Sequence, residues 1–133
     1  MAETRPANIL LLSSDPLMRT IVFETLERAG YLVVAAPDVG AAVDRLKELR
    51  PDLLIVRPYI NSMTGQMAAQ YLRTLSPGLP VLVLGGFMDD DRIHDHYAIV
   101  DFYVFPKPFH RDELLEKVKD VLRTVHSQPG PKP

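Results

Sequence analysis

Two groupings in the 133-residue chain have residue types and spacing that could do chemistry. The run MDDDRIHDHY crowds Asp89, Asp90, Asp91, His94, Asp95 and His96 together, a ligand-rich stretch that invites a metal reading. Histidines at i and i+2 point to different sides of a helix, however, and the run lacks calcium-loop spacing. A solvated acidic helix start, which suits the helix dipole, is the simpler account. The second grouping is basic. Arg57 follows the apolar run DLLIV, and Lys107 sits between two prolines after DFYVF. A guanidinium and an ammonium brought to one place would favour an anion. No Ser/His/Asp or paired-carboxylate set converges elsewhere, and the chain has no cysteine to act as nucleophile or thiolate ligand. Catalytic residues, a metal site and a cofactor are therefore not expected, and the protein is not expected to be an enzyme.

The positions of these residues depend on the elements that carry them. Apolar runs of strand length recur at NILLL (Asn8 to Leu12), YLVVAA (Tyr31 to Ala36), DLLIV (Asp52 to Val56), PVLVL (Pro80 to Leu84) and DFYVF (Asp101 to Phe105). Between them the apolar spacing is helical. The first helix carries Leu17, Ile21, Val22, Leu26 and Ala29 on one stripe and is stopped by Gly30. The second carries Ala42, Val43, Leu46 and Leu49 before Pro51. The third carries Met67, Ala68, Tyr71, Leu72 and Leu75 before Pro77 and Gly78. Ile93 and Tyr97 suggest a short fourth helix, and the last helix presents Leu114, Leu115, Val118, Val121, Leu122 and Val125. Strands apolar on both faces, alternating with helices, predict a flavodoxin-like, doubly wound α/β fold. It is a five-stranded parallel sheet in a three-layer αβα sandwich, forming a single domain over residues 1–126. Residues 127–133, SQPGPKP, have the composition of a proline-rich disordered tail or linker.

In such a fold ligands gather at the carboxyl ends of the strands. There the chain resembles a family. The order of elements, PDLLIV at the third strand, PVLVLGG at the fourth and KPFHRDEL leading into the last helix are similar to the receiver domain of bacterial response regulators, over roughly Ala7 to Thr124. The resemblance implies a phosphoryl transfer from a histidine kinase to an aspartate at the end of the third strand. Two acids after the first strand would hold Mg²⁺, and a hydroxyl after the fourth and a lysine after the fifth would meet the phosphoryl oxygens. Carried over position by position, the acid pair falls on Ser13 and Ser14, the acceptor on Arg57 and the hydroxyl on Gly85; only Lys107 keeps its type. The resemblance is thus to a degenerate pseudo-receiver, for which Mg²⁺ binding is not expected. Asp52 is no substitute acceptor, being at the far end of its strand, about 15 Å away at roughly 3.3 Å per residue. Asp15 followed by Pro16 reads as a helix N-cap.

Two readings of the basic mouth stay open. Arg57, Lys107 and Ser14, with the backbone of Gly85 and Gly86, would make an anion site for a small phosphate-bearing ligand or a partner's carboxylate. Alternatively Arg57 pairs with Asp15 or extends into solvent, a reading favoured by the lack of a phosphate-cradling glycine motif. A partner face is expected from Ile93, Tyr97, Tyr103 and Arg111, which mix aromatic and cationic anchors. With 47% hydrophobic residues and a net charge of -2, the chain has no basic excess for nucleic acid, and no apolar run is long enough for a signal peptide or a membrane span. The expected function is a cytoplasmic signalling module of the two-component or phosphorelay kind. It would act through a protein partner, a signalling kinase or an output domain, or as a homodimer. The alternative is a small-molecule or anion sensor built on Arg57 and Lys107.

Overall fold

The computed structural model describes residues 6–57, 59–60, 63–84, 103–105 and 111–127. Its elements are β1 (Asn8–Leu12), α1 (Pro16–Arg28), β2 (Leu32–Ala36), α2 (Val39–Leu46), β3 (Leu53–Val56), β4 (Tyr59–Ile60), β5 (Met63–Thr64), α3 (Gly65–Leu75), β6 (Val81–Leu84), β7 (Tyr103–Phe105) and α4 (Arg111–Ser127). Strands β2-β1-β3-β6-β7 form one sheet in that order, every neighbouring pair parallel. This is the flavodoxin-like sheet expected. The hairpin of β4 and β5, antiparallel and two residues a side, was not expected and follows directly on the end of β3. The expected fourth helix, with Ile93 and Tyr97, lies outside the described residues, as do the tail 128–133 and the run Asp89 to His96.

Alternate side chains of each strand feed two cores, because successive residues of a strand point to opposite faces. Leu10, Leu12, Leu54, Val56, Val81 and Val83 face α2 and α3, where Ala42, Ala68, Ala69 and Leu72 meet them. Ile9, Leu11, Leu53, Ile55, Leu82 and Leu84 face the other way, onto Val22 and Leu26 of α1 and Leu114, Val118, Val121 and Leu122 of α4. The central strands are buried on both faces, which explains why their sequences are unbroken aliphatic runs rather than alternating ones.

The helices are punctuated as their sequences predict. Asp15 caps α1, its Oδ1 accepting from the N–H groups of Leu17 and Met18 at 3.0 and 3.3 Å, and Pro16 takes the first position. At the other end Gly30, at φ 101°, makes a Schellman close. Its N–H donates to the Glu27 carbonyl and that of Tyr31 to the Leu26 carbonyl. Asp38 caps α2 through Ala41, and Thr64 caps α3 through Met67. Asp38→Ala should lower stability by about 1 kcal/mol, read as a lower urea midpoint at constant slope, and an unchanged midpoint would show that the cap does not hold in solution.

Three helical stripes are corrected by the structure. On α1, Leu17 is 69% exposed and Ile21 38%, while Val22, Thr25 and Leu26 are buried. A threonine fits that face because its hydroxyl donates to the Ile21 carbonyl at 2.8 Å and so needs no other partner. On α3 the buried positions are Gly65, Ala68, Ala69 and Leu72, and Met67, Tyr71 and Leu75 are about half exposed. Two apolar stripes run side by side there, and Leu72 is buried on the side where Gly65, Ala68 and Ala69 allow close approach to the sheet. Helix α2 stops at Leu46, short of Leu49, its last turn tightening into bonds from Lys47 and Glu48 to the carbonyls of Asp44 and Arg45.

Candidate functional site

Strand order reverses at β1: β2 lies on one side, β3, β6 and β7 on the other. The carboxyl ends of β1 and β3 therefore flank the crevice where this fold holds its ligands. Leu12 pairs with Val56, so the next residues on the two strands, Ser13 and Arg57, stand beside each other at that edge. Val56 also pairs with Val83, which brings the end of β6 level with Arg57.

Ser13 is fully buried and its polar groups are occupied. Its N–H donates to the Ala36 carbonyl at 3.1 Å, extending the β1–β2 ladder. Its Oγ accepts from the Asp15 N–H at 3.2 Å, and its carbonyl accepts from Nη1 of Arg19 at 2.8 Å. Arg19 was missed in the sequence. Its signal is a cation in the first turn of a helix that has no acid there, where the dipole disfavours positive charge. Ser14 is exposed and makes no hydrogen bond with Arg57. The carboxylate of Asp15 is engaged as the α1 cap.

Arg57 is partly buried, but its Nε and Nη1 atoms are fully buried and have no hydrogen-bond partner. Neither plain account of this residue holds. No ion pair or hydrogen bond joins it to Asp15, and its guanidinium does not extend freely into solvent, since those two nitrogens are closed off from it. A guanidinium with unmatched buried N–H groups is a receptor for acceptor oxygens. The same groups do not suit a hard dication: at this edge the described residues offer a serine hydroxyl, a carboxylate engaged as a helix cap and a permanent cation.

Gly85 and Lys107 lie outside the described residues, as do Ile93 and Tyr97 of the expected partner face. Of that face, Tyr103 opens β7 and Arg111 is exposed at the start of α4. Asp52 sits at the opposite edge of the sheet, where its Oδ2 accepts from the Asn8 N–H at 2.8 Å.

A family model described as the response regulator receiver domain matches residues 9–119. The chain belongs to the response regulator receiver domain family. It is 30% identical over 123 residues to the probable transcriptional regulatory protein TcrX of Mycobacterium tuberculosis, covering 92% of this chain and 52% of that protein. Over 114 residues it is 31% identical to the response regulator receiver protein CpdR of Brucella abortus, covering 86% of this chain and 95% of that one. Among solved structures, the chemotaxis response regulator CheY4 of Vibrio cholerae superposes with a TM-score of 0.77 at 25% identity, covering 88% of this chain and 99% of that one. The receiver domain thus spans about half the length of relatives such as TcrX and nearly all of CpdR. The family and these relatives support a place for the receiver in two-component signal transduction. Among the described residues no helix is long and apolar enough to cross a membrane.

Proposed function

We propose that this receiver is a pseudo-receiver, a signalling module that works by protein–protein contact without accepting an aspartyl phosphate. One observation carries the reading: the residue that follows β3 at the switch point is Arg57, a permanent cation with buried nitrogens, beside a serine whose polar groups are already used. A phosphoacceptor must be a nucleophilic carboxylate, and Mg²⁺ must be drawn from water by several anionic oxygens. Among the described residues of this edge the only carboxylate is that of Asp15, which caps α1, so no resident Mg²⁺ and no phosphoryl transfer are assigned to it. What the scaffold keeps is a rigid sheet and exposed helical faces, which suit a protein partner such as a kinase or an output domain in the cytoplasm, or a second copy of the chain.

Incubation with acetyl phosphate, or with beryllofluoride, and Mg²⁺ is the test. Intact mass should stay unchanged and backbone NMR resonances around Ser13 and Arg57 should not respond to beryllofluoride; a stoichiometric, hydroxylamine-labile phosphoryl adduct would overturn the reading. A second reading, an anion sensor, is favoured by the unmatched nitrogens of Arg57.

A further inference from the structure

We propose that the Arg57 guanidinium is the receptor for a small oxyanion, a phosphate or carboxylate group, bound at the carboxyl edge between β1 and β3. The proposal rests on the pseudo-receiver reading of that edge and names what the site takes in place of a covalent phosphoryl group. Buried N–H groups of a charged side chain are rarely left without acceptors, because each gives up its water and gains nothing in return. Here the Nε–H and both Nη1 hydrogens are in that condition.

The described neighbours offer no relief. The Ser13 carbonyl, the acceptor beside Arg57 on the adjacent strand, is held by Arg19 at 2.8 Å, and the Asp15 carboxylate caps α1. Arg19 itself adds a second cation next to Ser13, and the carboxylate of Asp15 already caps α1 through its Oδ1. An incoming oxyanion would supply the acceptors that the Nε and Nη1 groups lack. Phosphate and carboxylate each present a pair of acceptor oxygens that two parallel N–H groups of a guanidinium can meet, whereas chloride offers charge without that geometry.

The experiment follows the Arg side-chain Nε–Hε resonances of the whole chain by NMR, with the Arg57 signal assigned by its absence in Arg57→Met. Inorganic phosphate, acetate and chloride are titrated separately at constant ionic strength. A saturable shift of the Arg57 signal with phosphate or acetate, beyond that with chloride, is expected, and whichever anion produces it identifies the group bound. Thermal denaturation supplies a second reading, a rise in Tm on the order of 5 °C at about a hundredfold excess over Kd in the native chain, absent in Arg57→Met. Equal responses to all three anions, or a Tm rise that survives Arg57→Met, would overturn the proposal. Phosphorylation by acetyl phosphate is scored separately by mass, so failure of the pseudo-receiver reading and failure of oxyanion binding give different results.

Discussion

Leu72→Ala is expected to destabilise the receiver by about 3–4 kcal/mol, while Leu75→Ala, three positions along the same helix, costs under about 1 kcal/mol. Leu72 is fully buried among Ala68, Ala69 and Leu79 against the β3 and β6 side chains, whereas Leu75 is 49% exposed. The first change removes transfer energy and leaves a cavity that a sheet covered on both faces cannot readily collapse. The second removes atoms that already touch water. Against a total stability on the order of 5–15 kcal/mol, the Leu72 change would consume a large share of the folding free energy. Urea unfolding monitored by circular dichroism gives both numbers from one pair of curves. Similar costs at the two positions would mean that the stripe reaching Leu75 is packed in solution, contrary to the structure.

That contrast also shows what the sequence could and could not specify. The strands were legible because a parallel sheet buried on both faces requires unbroken aliphatic runs, and ILLL, LLIV and VLVL have no other ready use in a small domain. Strand starts were set one residue too early at Tyr31, Asp52 and Pro80. For Asp52 the reason is visible: its N–H donates to the Asn8 carbonyl while its carboxylate accepts from the Asn8 N–H, so it closes the sheet edge just outside the strand. The sheet-facing side of α3 was not legible, since Met67, Tyr71 and Leu75 make as continuous an apolar stripe as Ala68, Ala69 and Leu72, and the buried Leu72 and the half-exposed Leu75 are the same residue type. At the site, the alternation of strand and helix was enough to bring Ser13 and Arg57 to one edge. Arg19 was hard to read because its contact is with a backbone carbonyl, so its one signal is the misfit of a cation with the start of α1. Whether the guanidinium of Arg57 is paired, solvated or stranded depends on packing around it, and residue types do not encode that.

Arg57→Met is expected to stabilise the protein by about 1–3 kcal/mol in a chloride buffer free of phosphate and carboxylates. Most substitutions next to a sheet destabilise, so the sign is the informative part. Methionine keeps an unbranched stem that can pack where the arginine stem packs, and it removes the N–H groups that are buried without acceptors. The gain is the desolvation cost those groups impose in the folded state, since in the unfolded chain the guanidinium is fully hydrated and costs nothing. Arg57→Lys should give less, because it keeps a charge at the same edge while losing the rigid planar donors. The midpoint of urea unfolding for the three proteins orders these effects, and a destabilised Arg57→Met would mean that the guanidinium finds acceptors in water-filled surroundings or in the chain itself. Adding the oxyanion that Arg57 recognises should then raise the native protein toward the methionine variant and leave the variant where it was. A side chain that weakens the fold when empty and ceases to do so when occupied couples ligand binding to the stability of the β1–β3 edge. Under the pseudo-receiver proposal, it would give the domain a reversible means of answering to charge at the same place in the fold.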